Sequence, residues 1–340
     1  MSHAAPAHQP NPAIVFEAMN AFQRSAALKA AIELDLFTAI GEGHNTPAKL
    51  ATRCGAAERG ARILCDFLTT QGLLAKQDGH YTLPPDTALF LDRASFAYLG
   101  TATQFLLSPM VTRNYDDLAA TVRKGGTITP NDGSLAPENP IWVEFARGMA
   151  PLMAFPAQGI AELLRASEGK PWKVLDIAAG HGLFGITLAG QNPNAQIVAV
   201  DWPNVLEVAK ENAAKAGVSE RHRTIAGSAF DVDYGSGYDL VLLTNFLHHF
   251  DVPACEALLR KVYAALKLGG RAVTLEFVPN DDRVTPAIPA AFALIMLATT
   301  PEGDAYTHRE LEGMFHNAGF ASSELHPLPP TFQSVLISHK

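Results

Sequence analysis

Residues 173–185 read KVLDIAAGHGLFG. An apolar run empties into a loop with glycines at 180, 182 and 185, and a helical pattern follows. Glycines spaced G-x-G-x-x-G between a strand and a helix make a tight turn and bring bare backbone amides against a ligand. Asp201 ends the next apolar run, 21 residues beyond Gly180, so the literal reading is a dinucleotide site. Asp176 argues otherwise. A helix start already suits a dianion, and a carboxylate a few ångströms from a pyrophosphate repels it by roughly a few kcal/mol at intermediate dielectric. S-adenosylmethionine makes the opposite demand, because its amino-acid end carries an ammonium and its sulfur is cationic. Asp201 serves either cofactor by accepting hydrogen bonds from ribose hydroxyls, each about 1.5–3 kcal/mol when charge-assisted. The plain alternative is that both aspartates are solvated strand ends.

The surrounding pattern is α/β. KVLDIA, QIVAVD, YDLVLLTN and RAVTLEF are four strand candidates rich in Val, Ile and Leu, and PNVLEVAKENAAKAG and PACEALLRKVYAALKLGG are helical runs between them. Nearly continuous apolar strands alternating with helices predict a parallel sheet covered on both faces. The stretch ASSELHPLPPTFQSVLISHK predicts two more strands around a Pro-rich turn, forming an antiparallel edge.

Upstream, AIVFEAMNAFQRSAALKAAIELDLFTAI has helical spacing, broken at Asp35 and then by Gly41–Gly43. Thr46 and Pro47 make an N-cap and first-turn pair for TPAKLATRCG. AERGARILCDFLTTQG is a further helix ending at Gly72, and LLAKQDGHYTLPP alternates around Asp78-Gly79, a hairpin signal. Helix, turn, helix and hairpin together predict a winged helix. Its charges nearly cancel from Asn45 to Arg93, which removes the phosphate-neutralising term that DNA binding requires; dimerisation is the use adopted. Between the two regions, PIWVEFARGMAPLMAFPAQGIAELLRA is helical, and its Phe145, Met149 and Met153 form a stripe that is either core or the wall of a substrate pocket. RKGGTITPNDG, residues 123–133, reads as a loop. The expected organisation is a disordered tail over 1–12, a winged-helix-like dimerisation domain over 13–100, a helical connector contributing to the substrate pocket over 101–168, and a catalytic domain over 169–340.

LDIAAGHG followed by AVDWPNVLEVAKENA resembles the cofactor site of class I S-adenosylmethionine-dependent methyltransferases. With TNFLHHFD at 244–251 and the amino-terminal region, the chain is similar from about residue 13 onward to small-molecule O-methyltransferases of the caffeate and hydroxyindole type and their bacterial relatives. The resemblance implies a Rossmann-like seven-stranded methyltransferase sheet, mostly parallel with an antiparallel carboxyl-terminal edge, preceded by a mainly helical winged-helix dimerisation domain. It implies a homodimer interlocked through the amino-terminal helices, and S-adenosyl-L-methionine lying over the carboxyl ends of the strands. Gly180 and Gly182 would then face the methionine portion and Asp201 the ribose. GSAFDVD, at 227–233, stands where the family often has Gly-Asp-Met-Phe. Phe230 matches the aromatic near adenine, while Ser228 replaces the usual aspartate and leaves Ser228 or Asp231 to hold the adenine amine. The cofactor set expected is Asp176, Gly180, Gly182, Asp201, Trp202, Ser228, Ala229, Phe230 and Asn245. The pocket candidates are Phe145, Met149, Phe292 and Met296.

Methyl transfer from sulfonium to oxygen needs an aligned acceptor and removal of its proton. His248 matches the family's catalytic histidine at the end of the fourth strand, and Glu276, 28 residues on, matches its orienting glutamate. An unassisted imidazole is a poor base for a phenol: full transfer from pKa ~10 to ~6.5 is uphill by about 5 kcal/mol. A carboxylate on the other ring nitrogen fixes the tautomer and raises the basicity. The family's second glutamate is absent, with Ala305 in its place and Asp304 beside it. A metal held by His248, His249 and Asp251 is disfavoured, because adjacent histidines on an extended chain point to opposite faces and hard cations require several oxygen ligands. His249 reads as a packed or helix-starting neighbour.

Composition bounds the rest. The chain has 340 residues, 48% hydrophobic and 18% charged, enough for two compact domains. A formal net charge of −8 disfavours nucleic-acid or anionic-membrane partners. No apolar run reaches membrane-spanning length, and MSHAAPAHQPNPA lacks the apolar core of a secretion signal. Cys54, Cys65 and Cys255 are too few and scattered for a disulfide framework or a cysteine zinc site, so a cytoplasmic protein is expected. The expectation is methyl transfer to a hydroxyl of a small aromatic acceptor, with no metal. The alternatives are a C- or N-methyltransferase working by proximity, a ligand-sensing winged-helix DNA-binding regulator, and a nicotinamide dehydrogenase.

Overall fold

A computed structural model describes residues 10–130 and 133–340. The expected tail over 1–12 and loop over 123–133 therefore lie outside the described residues at positions 1–9 and 131–132. The chain divides into two compact units, one running to Leu107 and the other starting at Ser108. Among the described residues no helix is long and apolar enough to cross a membrane.

In the first unit, helices Ala13–Glu33 and Leu36–Gly41 are separated by Asp35, whose φ of 56° breaks the spiral. Thr46 caps helix Pro47–Cys54, its hydroxyl accepting from the amide of Lys49 at 3.4 Å. Helix Glu58–Thr70 leads to strands β1 (Ala75–Gln77) and β2 (His80–Thr82), paired antiparallel. Asp78 and Gly79 join them with φ of 48° and 77°, the double left-handed turn that matches the twist of a hairpin. Phe37, Leu50, Leu68 and Tyr81 fill the core of this unit. Ile14, Phe16, Met19 and Phe22 on the first helix are instead 61–73% exposed.

The second unit holds a seven-stranded sheet. Its strands are β3 (Lys173–Ile177), β4 (Gln196–Asp201), β5 (His222–Ala226), β6 (Tyr238–Thr244), β7 (Leu266–Glu276), β8 (Ser322–Pro327) and β9 (Ser334–His339). They lie in the order β5-β4-β3-β6-β7-β9-β8. The first five are parallel, and β9 pairs antiparallel with both β7 and β8. Alternate residues explain the unbroken apolar runs. Leu175, Ile177, Val241 and Leu243 enter one core, and Val174, Leu240, Leu242 and Val273 enter the other, each burial stabilising by about 1.5–3 kcal/mol. From β3 the chain builds β4 and β5 to one side and β6 and β7 to the other. A reversal of this kind opens a crevice at the carboxyl ends of the central strands.

Two elements differ from the sequence reading. HRTIA, not read as a strand, is the edge strand β5, only partly buried and so lacking an apolar run. The helix starting at Val252 stops at Ala265, and Leu266, read as helical, already pairs with Tyr238 at the start of β7.

Candidate functional site

The glycine loop joins β3 to helix Leu183–Gln191. Gly180 and Gly182 have φ of 58° and 74°, the left-handed region that glycine enters without a steric cost. At Gly185 the need is space: a Cβ there would lie 2.7 Å from Ile197 Cγ2 and 2.9 Å from Asp176 Oδ2. That contact exists because Asp176 lies beneath the helix start, where its Oδ2 accepts from the Gly185 amide at 3.1 Å. Its other oxygen, Oδ1, has no partner among the described residues. Asp176 is fully buried, not a solvated strand end, and burial, with a smaller push from Asp201, raises its pKa to about 8. Asp201 accepts from the Gly180 amide at 2.8 Å and the Trp202 amide at 2.7 Å, and burial lifts it to about 6.

The turn after β5 carries the next group. Ser228 Oγ accepts from the Phe230 amide at 3.2 Å, and the Phe230 ring meets Phe250 edge-on at 4.9 Å. Asp231, the other candidate for the adenine amine, is exposed. Asn245 leaves β6 with φ of 56°. Its amide group is engaged with Gln333 and with Met153 Sδ, the latter at 3.5 Å.

At the end of β6, Glu276 organises the turn. Its Oε1 accepts from the amides of Phe246 (3.1 Å) and Leu247 (2.9 Å), and its Oε2 accepts from His248 Nδ1. Both side chains are buried. The carboxylate winds Leu247–His249 into a 3-10 turn, which corrects the expectation that the two histidines diverge on an extended chain. Their ring centroids are 4.3 Å apart. His249 is packed, as expected, with the Trp142 ring edge-on at 5.2 Å. Burial, and secondarily His248, holds its pKa well below the ordinary value, so its imidazole is neutral.

Asp304 does not replace the missing glutamate with its side chain. Its carboxylate pairs with Arg283 at 3.0 Å, while its backbone amide donates to the carbonyl of His248 at 3.0 Å. A Cβ on Gly303 would fall 2.4 Å from that same carbonyl. The base candidate is therefore gripped from the backbone.

Of the pocket candidates, Phe292 meets His248 edge-on at 4.8 Å. Phe145 lies 5.7 Å from Trp142 and 6.5 Å from His181, the latter stacked. Met149, one turn along from Phe145, is half-buried, and Met296 is buried in helix Ala287–Thr299. Sequence reasoning missed His181, Trp142 and Gln333. His181 was visible between the two glycines; it is buried, its pKa is lowered to about 4, and its Nδ1 accepts from the Leu183 amide at 3.1 Å.

These groups fit a cation bearing hydroxyls: a buried carboxyl and a half-buried one flank a glycine turn, and one oxygen of the buried carboxyl lacks a partner among the described residues. Comparison with known proteins agrees. The family model of the O-methyltransferase domain matches residues 144–321, and that of the O-methyltransferase dimerisation domain matches residues 16–93. The chain belongs to the O-methyltransferase family. Members of this family draw the methyl group from S-adenosylmethionine. The chain is 28% identical over 311 residues to 3-hydroxy-5-methyl-1-naphthoate 3-O-methyltransferase of Streptomyces sahachiroi, covering 91% of this chain and 89% of that one. A crystal structure of a candidate O-methyltransferase from Nostoc punctiforme is 57% identical with a TM-score of 0.95, covering 98% of this chain and 100% of that one. The fold is also that of human N-acetylserotonin methyltransferase, solved with S-adenosylmethionine (21% identity, TM-score 0.83, 99% of each chain).

Proposed function

We propose that this O-methyltransferase acts on a phenolic hydroxyl of a small aromatic molecule, with His248 as general base and Glu276 as its orienter. The observation that carries the reading is the buried His248–Glu276 pair at the end of β6, the strand beside the one that delivers the glycine loop. A carboxylate on Nδ1 requires the proton there, which leaves Nε2 free to accept a proton from the acceptor. The Asp304 amide holds the His248 carbonyl, and Gly303 leaves the room for that close approach. Phe292, Phe145 and Trp142 supply aromatic surface for the acceptor, and the naphthoate named for the Streptomyces relative supports an aromatic one.

When bound, S-adenosylmethionine supplies a methyl group on a cationic sulfur. Asp176 and the loop at Gly180 and Gly182 would hold the amino-acid end, Asp201 the ribose, and the turn at Ser228–Phe230 the adenine. The exposed apolar face of the first helix, with the dimerisation-domain match, supports a homodimer. Light scattering of wild type is expected to give twice the chain mass, and Phe16→Asp with Phe22→Asp to halve it.

The test of the main reading is calorimetric titration with S-adenosylhomocysteine, followed by incubation of pooled phenols with methyl-labelled donor and mass spectrometry. Micromolar binding and labelled aryl methyl ethers are expected. Failure to bind sinks the cofactor assignment, and label appearing only on carbon or nitrogen sinks the hydroxyl assignment.

A further inference from the structure

Helix Val252–Ala265 starts directly after the histidine turn, with Asp251 as its cap. Further along, Lys261 reaches a loop remote from it in sequence. Its Nζ donates to the carbonyl of Phe230 at 2.8 Å and to that of Ala229 at 3.1 Å. The ammonium also sits 4.2 Å from the ring centroid of Tyr234, whose hydroxyl donates to the same Ala229 carbonyl. A lysine that only decorated the surface would need neither carbonyl.

The loop it grips is placed with care. Gly227 opens it by donating its amide to the Asp201 carbonyl at 2.9 Å, so the loop begins beside the residue assigned to the ribose. The carbonyl of Ser228 accepts from the amides of Asp231 and Val232, both at 3.0 Å. With Lys261 on the next two, three successive carbonyls are drawn onto protein donors. A trans peptide unit directs its N–H opposite to its C=O. The Phe230 amide goes to Ser228 Oγ and the Asp231 amide to the Ser228 carbonyl. The amides of Ser228 and Ala229 then have no hydrogen-bond partner in the turn among the described residues.

We propose that Lys261 is a positioning residue for the nucleoside end of the cofactor site, holding the 229–230 and 230–231 peptides so that their carbonyls face away from the base. The proposal rests on the S-adenosylmethionine reading. Adenine presents ring nitrogens that accept hydrogen bonds, and a peptide flipped in this turn would set a carbonyl oxygen against them. Lys261 blocks the flip with a charged donor on each oxygen. Sequence gives no hint of this, because the lysine looks like any helical surface cation.

The test needs no methyl acceptor. Lys261→Met and Lys261→Arg are titrated with S-adenosylhomocysteine and with 5′-methylthioadenosine, which keeps the nucleoside and lacks the amino-acid end. Lys261→Met is expected to weaken both ligands by the same factor, about tenfold or more, as for loss of one charge-assisted bond. Its melting temperature should stay near that of wild type, and Lys261→Arg should recover most of the affinity. Binding of Lys261→Met within twofold of wild type overturns the proposal. So does a loss confined to S-adenosylhomocysteine, or a loss that follows a parallel fall in melting temperature in both variants. Failure of wild type itself to bind either ligand overturns the cofactor reading and the proposal together.

Discussion

Two buried carboxyl groups lie near the carboxyl ends of parallel strands, Asp176 on β3 and Glu276 on β7, and they are treated oppositely. Glu276 has every oxygen engaged: two backbone amides on one, an imidazole on the other. Asp176 has one amide on Oδ2 and no partner for Oδ1 among the described residues. Burial removes water from both, so their donors decide what each can do. Glu276 is a fully occupied acceptor that shapes the chain around it. Asp176 is an unfinished one, disposed to hold its proton until a cation arrives. On the proposed reading, one carboxyl orients the base and the other receives the methyl donor.

The sharpest way to break the comparison is to remove what Glu276 orients. His248→Ala is expected to lower turnover by about two to four orders of magnitude, the usual span for a general base, while S-adenosylhomocysteine affinity stays within about twofold. Steady-state rates and calorimetry on the same preparation check both halves. Next is Glu276 itself. Glu276→Ala strands two amides and an imidazole, and denaturant titration should show a loss of about 3–5 kcal/mol. Glu276→Gln keeps an oxygen for the amides and should lose turnover more than stability.

Asp176 should respond in the other direction. Its pKa in the folded protein, about 8, lies above the ordinary value of about 3.9. Its favourable contribution is therefore complete below about pH 4 and is lost as pH rises toward 8. Asp176→Asn removes that loss, so the ligand-free variant is expected to melt above wild type at pH 7–8, with an unfolding free energy larger by on the order of a few kcal/mol, and to match it near pH 4. The same change should weaken S-adenosylhomocysteine. A variant that melts below wild type at pH 8 contradicts the assignment. The smallest effect is a proton count. A cationic ligand beside Asp176 and Asp201 favours their ionised forms, so wild type at pH 7 should release a fraction of a proton on binding, read from calorimetry in buffers of different ionisation heat. Asp176→Asn should release less.

Legibility in the sequence tracked locality. KVLDI, QIVAVD and YDLVLLT were readable because both faces of each strand are buried, while HRTIA at the sheet edge carries no such pattern. The Asp176, glycine and Asp201 set was readable because a strand, a turn, one short helix and the next strand follow one another in sequence. The His248–Glu276 pairing came from family resemblance, since nothing local joins the two residues. The 3-10 turn at the histidines was not readable, because a carboxylate from another strand makes it. Asp304 was singled out for its side chain, but it is the amide that touches the histidine segment. His181, Trp142, Lys261 and Gln333 act through contacts that propensity does not encode.

The position of β9 has a consequence for how the protein is made. It is the last strand of the sheet in sequence, yet it lies inside the sheet, on the edge of β7 that ends in Glu276, with Ser334 opposite that glutamate. During synthesis β7 emerges about sixty residues before the strand that covers it. Through that interval an apolar strand presents unpaired amides and carbonyls to any neighbouring chain. A nascent chain stalled before Ser334 is thus a template for aggregation, and a chaperone that recognises open strand edges would find its target there.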